Sequence, residues 1–236
     1  MDLSRDYTRL TPFADGQALA AGLAEAVAAD LRAAIARNGK AALAVSGGST
    51  PKRFFQQLRD KDLDWSKVTV TLVDERWVGE HSERSNAALV RQGLLQGPAA
   101  AARFLPLYRD LPEPEQALAE VEHDLDRQAL PLDVAILGMG EDGHTASFFP
   151  GGDYLGRALD LSSGERVLPM HAEGAGEPRI TLTLPVLAAS GRLYLHVEGK
   201  KKADVLSTAC SDEGARYPIH AVLTATNGAV ETYWSP

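Results

Sequence analysis

The 236-residue chain has a single cysteine, Cys210, so no internal disulfide can form. That usage fits a reducing compartment. No run is long and apolar enough to span a bilayer. The opening segment MDLSRDYTRLTPF is too charged for a signal peptide, so a cytoplasmic protein with no membrane partner is expected. Basic residues are in the minority: 24 lysines and arginines against 32 aspartates and glutamates give a net charge of -8. The only lysine run is Lys200, Lys201 and Lys202. A nucleic-acid partner is therefore not expected, and an anionic ligand would need a local positive pocket set against the global field. His-x-x-x-His, Cys-x-x-Cys and Asp-rich loops are all absent, so no metal site is expected. Neither the G-x-S-x-G elbow of a serine hydrolase nor the closing Gly-Lys-Ser/Thr of a Walker A loop occurs.

What is present has ordinary globular composition, 44% hydrophobic and 24% charged. Apolar runs alternate with helical patterns. Helices are expected over 15–37, 50–59 (Thr50 as N-cap, Pro51 first), 86–95, 115–130, 185–189 and 200–210. Strands are expected over 41–45, 68–73, 132–137, 180–184, 193–197 and 219–223. This alternation predicts one α/β domain over 1–236, an open, mostly parallel, Rossmann-like sheet with helices on both faces. The LPEPEQ connector at 111–116 is too short to divide it. Ligands of such sheets bind beyond the carboxyl ends of the strands, so the residues just after each strand matter most.

SGGSTP comes directly after the strand ending at Val45. Ser46, Gly47, Gly48, Ser49 and Thr50 offer backbone N–H groups and hydroxyls ahead of a helix, which suits a phosphate; a tight, well-capped turn explains them equally well. Asp74-Glu75-Arg76-Trp77 comes after Val73 and reads either as a solvated loop or as an anion contact through Arg76. GMGEDGHTASFFPG comes after Leu137. Gly138, Gly140 and Gly143 spell G-x-G-x-x-G, but Pro150-Gly151-Gly152 cuts any helix after them short, which counts against a dinucleotide. His144 beside Asp142 suits proton transfer; the plainer reading is a histidine capping a turn. The other histidines show no chemical setting, and His123 and His196 read as structural. Arg179 and Lys202 each bring a cation to a strand end, either as surface charges or as a pair on one dianion.

These stretches, in this order, resemble the 6-phosphogluconolactonase family: SGGSTP, Val-Asp-Glu-Arg with Ser85-Asn86 after it, the Gly-Met-Gly-Glu-Asp-Gly-His loop, Pro-Arg-Ile-Thr-Leu-Thr, and Gly199-x-x-Lys202. The resemblance implies a Rossmann-like fold shared with glucosamine-6-phosphate deaminases and a small-molecule phosphosugar lactone as partner. It implies hydrolysis of that lactone without cofactor or metal, by a monomer or small homo-oligomer. It also implies site roles. Ser46, Gly47, Gly48, Ser49, Thr50, Arg179 and Lys202 would hold the phosphate, with Asp74, Gly140 and Gly143 also at the substrate. His144 would be the base, Asp142 its support, and Arg76 an oxyanion contact. Where the deaminases read Asp-Glu-Tyr this chain has Asp74-Glu75-Arg76, and Phe149 replaces the glutamate that serves the deaminase histidine. Three other functions stay open: a phosphosugar deaminase or isomerase, a non-catalytic sugar-phosphate sensor, and a dinucleotide-dependent oxidoreductase.

Overall fold

A computed structural model describes residues 7–236; the first six residues of the opening segment lie outside them. In chain order the elements are β1 (Arg9–Pro12), α1 (Gly16–Asn38), β2 (Ala41–Val45), α2 (Lys52–Arg59), β3 (Val68–Leu72), β4 (Asp74–Arg76), α3 (Asn86–Gly93), β5 (Arg103–Leu105), α4 (Leu118–Gln128), β6 (Val134–Leu137), α5 (Leu155–Ala158), β7 (Val167–Met170), β8 (Arg179–Leu182), α6 (Leu184–Ala188), β9 (Arg192–Glu198), α7 (Lys200–Ala209), α8 (Pro218–Ala225) and β10 (Glu231–Ser235). Seven strands form one sheet in the order β1-β10-β9-β6-β2-β3-β5, every pairing parallel. A second, antiparallel sheet runs β4-β8-β7.

The expected parallel α/β sheet is present, and its interior strands show why. Every residue of β2 (AALAV) and β6 (VAIL) is buried, as a strand covered on both faces requires. The long first helix forms as expected. The Asp15 carboxylate accepts from Ala18 N–H at 2.8 Å to start it, and Gly39 in the left-handed region ends it. Its Leu19, Leu23, Val27 and Leu31 lie at helical spacing and are fully buried.

Several expectations fail for physical reasons. The 219–223 run is the helix α8, not a strand. Pro218 occupies its first turn, and Ile219, Val222 and Leu223 are buried at i, i+3 and i+4. Thr50 is not a helix cap: Pro51, already helical at φ -75°, takes that place, and its carbonyl receives the first bond from Phe55. The Asp-Glu-Arg loop is the strand β4, paired with β8. Helix α4 starts only at Leu118, after a 3-10 turn over Pro114–Ala117. Strands β1, β5, β7 and β10 were not expected at all. They are short, and β7 carries Pro169 inside it, which ordinarily argues against a strand.

The winding direction positions the site. From β2 the chain moves outward through β3 to β5, and from β6 it moves the other way through β9 to β10. The reversal falls between β2 and β6, so the loops leaving their carboxyl ends diverge and open a crevice. Those loops are SGGSTP and the glycine-rich His144 loop. Ser46 ties them together: its hydroxyl donates to the Ile136 carbonyl at 2.7 Å and accepts from Gly138 N–H at 2.9 Å.

Candidate active site

The crevice holds a cavity of about 290 Å³, at the small end of ligand pockets. Its wall takes in Ser46, Gly47, Gly48, Ser49 and Thr50 after β2, Asp74 and Arg76 of β4, Gly140 and His144 after β6, Arg179 of β8 and Lys202 of α7. Residues far apart in the chain thus converge on one space. Two of the expected set stand off the wall. Asp142 lies off the wall, its carboxylate against the His144 ring. Gly143, expected at the substrate, instead shapes the backbone: it adopts φ 75°, and a Cβ there would strike the Tyr217 ring.

No helix begins at Gly143; the loop runs in turns until α5. Gly140 N–H donates to the His144 carbonyl at 2.9 Å, and Thr145 Oγ1 donates to the Gly138 carbonyl at 2.7 Å. The imidazole Nδ1 meets Asp142 Oδ1 at 2.5 Å, and the same oxygen accepts from His144 N–H at 3.2 Å. An ionised carboxylate only accepts, so in the neutral imidazole the ring hydrogen sits on Nδ1 and the lone pair on Nε2. Nε2 has no partner among the described residues. The hydrogen bond from His144 holds the Asp142 carboxyl below the ordinary aspartate value.

Phe149 stacks on the imidazole, with centroids 4.4 Å apart and planes at 28°. The Arg179 guanidinium lies 5.2 Å from the same ring. Arg179 is buried; it donates to the Ala175 carbonyl at 2.7 Å and lies 3.8 Å from Asp74. Asp74 accepts from Ser147 Oγ at 2.6 Å. Arg76 donates from Nη1 to the Arg84 carbonyl at 2.5 Å. Of the lysine run, Lys200 pairs with Asp204 and Lys201 with Glu141, whereas Lys202 reaches the cavity wall.

Three residues escaped the sequence reading as part of this site. Asn86 stands in the first turn of α3. Its Nδ2 donates to the Asp74 carbonyl at 2.9 Å, and its amide fills the place a Cβ would take at residue 47, so only glycine fits there. Ser85-Asn86 stood among the family motifs, the one signal that pointed to it. His196, read as structural, is buried but lines the cavity. Glu75 is fully buried and accepts from Arg76 N–H, Asn86 N–H, Ala87 N–H and Ser85 Oγ at 2.7–3.2 Å. It thereby fastens β4 to the start of α3. It stood within the Val-Asp-Glu-Arg motif, but nothing local showed its anchoring role. The one group of side chains among the described residues with metal-ligand spacing, Glu113, Glu115 and His171, lies outside the cavity.

The family described as glucosamine-6-phosphate isomerases/6-phosphogluconolactonase matches residues 14–234. The chain belongs to it. A protein of Rhizobium meliloti named 6-phosphogluconolactonase is 52% identical over 95% of this chain and 97% of its own. The crystal structure of a 6-phosphogluconolactonase from Shewanella baltica superposes with a TM-score of 0.93 at 39% identity, covering 97% of this chain and 98% of that one. A monomeric glucosamine-6-phosphate deaminase superposes with a TM-score of 0.74 at 17% identity, covering 97% of each chain, a likeness of fold alone.

Glu75 generates a pH prediction. Burial pushes its carboxyl up to about 7, against the three backbone N–H groups that pull it down. The Ser85 hydroxyl can reverse its role and accept from the protonated acid. A carboxyl whose folded value is raised contributes stability that is full below its unfolded value and is lost as pH rises toward the folded one. Parent stability relative to Glu75→Gln should therefore fall by roughly 3 kcal/mol between about pH 4.5 and 7. Denaturant titrations of both proteins across that window check it; parallel profiles would contradict it.

Proposed function

We infer that the chain is a 6-phosphogluconolactonase, hydrolysing 6-phospho-D-glucono-1,5-lactone to 6-phospho-D-gluconate in the oxidative pentose phosphate pathway. The relatives of that name at high identity support this reading. The observation that carries it is the state of His144: Nδ1 engaged by Asp142, Nε2 unpartnered among the described residues, and the ring stacked on Phe149 instead of paired with a glutamate. A benzene ring neither accepts a proton nor holds an imidazolium, as the deaminase position requires. Water activation needs only the Asp142–His144 pair.

In this mechanism the N–H groups and hydroxyls of Ser46–Thr50 take the phosphate, and Arg179 and Lys202 supply fixed positive charge to the anionic substrate. Binding energy from the remote phosphate sets the lactone carbonyl against His144. Nε2 takes a proton from water as the water oxygen attacks C1, and the carbonyl electron pair moves onto its oxygen. The Arg76 guanidinium or a loop N–H stabilises that oxyanion. Collapse re-forms the carbonyl and breaks the bond to the ring oxygen, which receives the proton from the imidazolium. The carboxylic acid produced then ionises to solvent. No cofactor takes part.

The activity test is acid release from the phosphorylated lactone, with spontaneous opening subtracted and a non-phosphorylated lactone as control. Acid release without ammonia from glucosamine 6-phosphate is expected; ammonia at a comparable rate would overturn the assignment. His144→Ala should lower kcat by about 10²–10⁴-fold with phosphosugar binding nearly intact, and Asp142→Asn should lower it less. Near-normal turnover of folded His144→Ala would remove it from the mechanism. Charge-assisted bonds contribute about 1.5–3 kcal/mol, so Arg179→Ala or Lys202→Ala should weaken binding of 6-phosphogluconate about ten- to a hundredfold. Lys200→Ala and Lys201→Ala should bind like the parent, and equal affinity in all four would refute the clamp.

A further inference from the structure

On β9, Tyr194, His196 and Glu198 alternate onto the face covered by α1 and α2. Each of these polar groups is matched: Tyr194 OH donates to Asp30 of α1 at 2.7 Å, His196 Nε2 meets Glu198 Oε1 at 3.0 Å, and Glu198 is ion-paired with Arg53 of α2. The exception is His196 Nδ1, which has no hydrogen-bond partner among the described residues. The ring is only 3% exposed, yet it borders the cavity together with Phe54, the phosphate loop and Lys202. Phe54 meets it edge-on at 6.4 Å and 75°, which fixes the ring plane beneath the start of α2. The ring's small remaining exposure includes that nitrogen, so a ligand oxygen in the bordering cavity can reach it.

We propose that His196 is a further substrate-binding residue: when a phosphate group arrives in the cavity the ring takes up one proton from solvent, Nδ1–H donates to a phosphate oxygen, and Nε2–H stays on Glu198. The groups around the ring fit this role. Glu198 balances the imidazolium and is steadied by Arg53, while Lys202 approaches from α7 and Asp30 is held one step down the strand by Tyr194. Strand β10 sets Tyr233 at the paired position, and the facing part of β6 is apolar. Burial holds the imidazole below the usual histidine range, with Lys202 and Arg53 acting the same way and Glu198 opposing. A dianion at Nδ1 reverses that balance, because an adjacent opposite charge favours the charged ring. The site would therefore complete its positive charge only when the phosphate is present.

The proposal rests on the phosphosugar reading of the cavity, and its first test does not depend on turnover. Parent protein labelled with ¹⁵N at histidine is titrated with inorganic phosphate at pH 7.5, and His196 is identified by its nuclear Overhauser contacts to Phe54. The expected result is conversion of that ring from one protonated nitrogen to two; a ring unchanged at saturating phosphate overturns the proposal. Kinetics supply the second test. His196→Gln should raise KM for the phosphorylated lactone about ten- to a hundredfold, with kcat unchanged and opening of the non-phosphorylated lactone unaffected. A parental KM, or equal losses on both lactones, would refute it. Phosphate-driven protonation in a protein that opens no lactone would sink the lactonase reading and leave this one standing.

Discussion

One buried carboxylate holds the site together. Glu75 takes four donors, three of them backbone N–H groups, and so fixes where β4 ends and where α3 begins. Its neighbours on β4, Asp74 and Arg76, line the cavity on either side of it. The first residue of α3, Asn86, reaches back to the Asp74 carbonyl and fills the space against Gly47. One anchor thus sets the positions of the phosphate loop, a wall acid and a wall arginine relative to each other. The helix N-terminus supplies the positive end of its dipole to the same carboxylate. A residue off the cavity wall determines the spacing among those on it.

The second organising contact is the Ser46 hydroxyl, which bridges the loops after β2 and β6. It closes the crevice at its base, so the phosphate cradle and the Asp142–His144 pair share one floor. Across the cavity, Phe149 lies against both His144 and Arg179. The ring separates base from cation and contributes no proton of its own. In the proposed mechanism the anionic end and the reacting end of a phosphosugar are therefore handled by different groups held in one frame.

Legibility in the sequence depended on how local each cause was. Strands β2 and β6 announce themselves as apolar runs because helices cover both their faces, β3 as a β-branched run, and the sheet class comes from their alternation with helices. SGGSTP and Asp142-x-His144 are readable because donors, base and partner lie within a few residues of each other. Glu75, Asn86 and His196 were not readable as functional. Their roles depend on partners brought by folding: Asn86 on Gly47, Glu75 on the start of α3, His196 on a cavity whose other walls lie far off in the chain. Strand β10 (ETYWS) is short and mixed, and its Thr-Tyr-Trp core becomes a strand by pairing with β9 and β1. Segment 219–223 shows the converse: five residues are too few to separate period 2 from period 3.6, and Pro218 was the signal that decided it.

The parallel pairing of β1 with β10 bears on biogenesis. Arg9 lies opposite Glu231, and the Thr8 hydroxyl donates to the Val230 carbonyl, 222 residues away. Sheet formation cannot be completed by a nascent chain growing outward from its start. At translation rates of about 5–20 residues per second, β1 waits on the order of ten to fifty seconds for the strand it pairs with. One flank of β9, made only about 33 residues before β10, stays uncovered for just the last few seconds of that interval, since β10 separates it from β1. The hydrogen-bonding edges left bare are those where a second chain on the same polysome could dock. The polar, proline-ended β1 and the mixed β10 make poor templates for such pairing, as an edge awaiting a late partner requires.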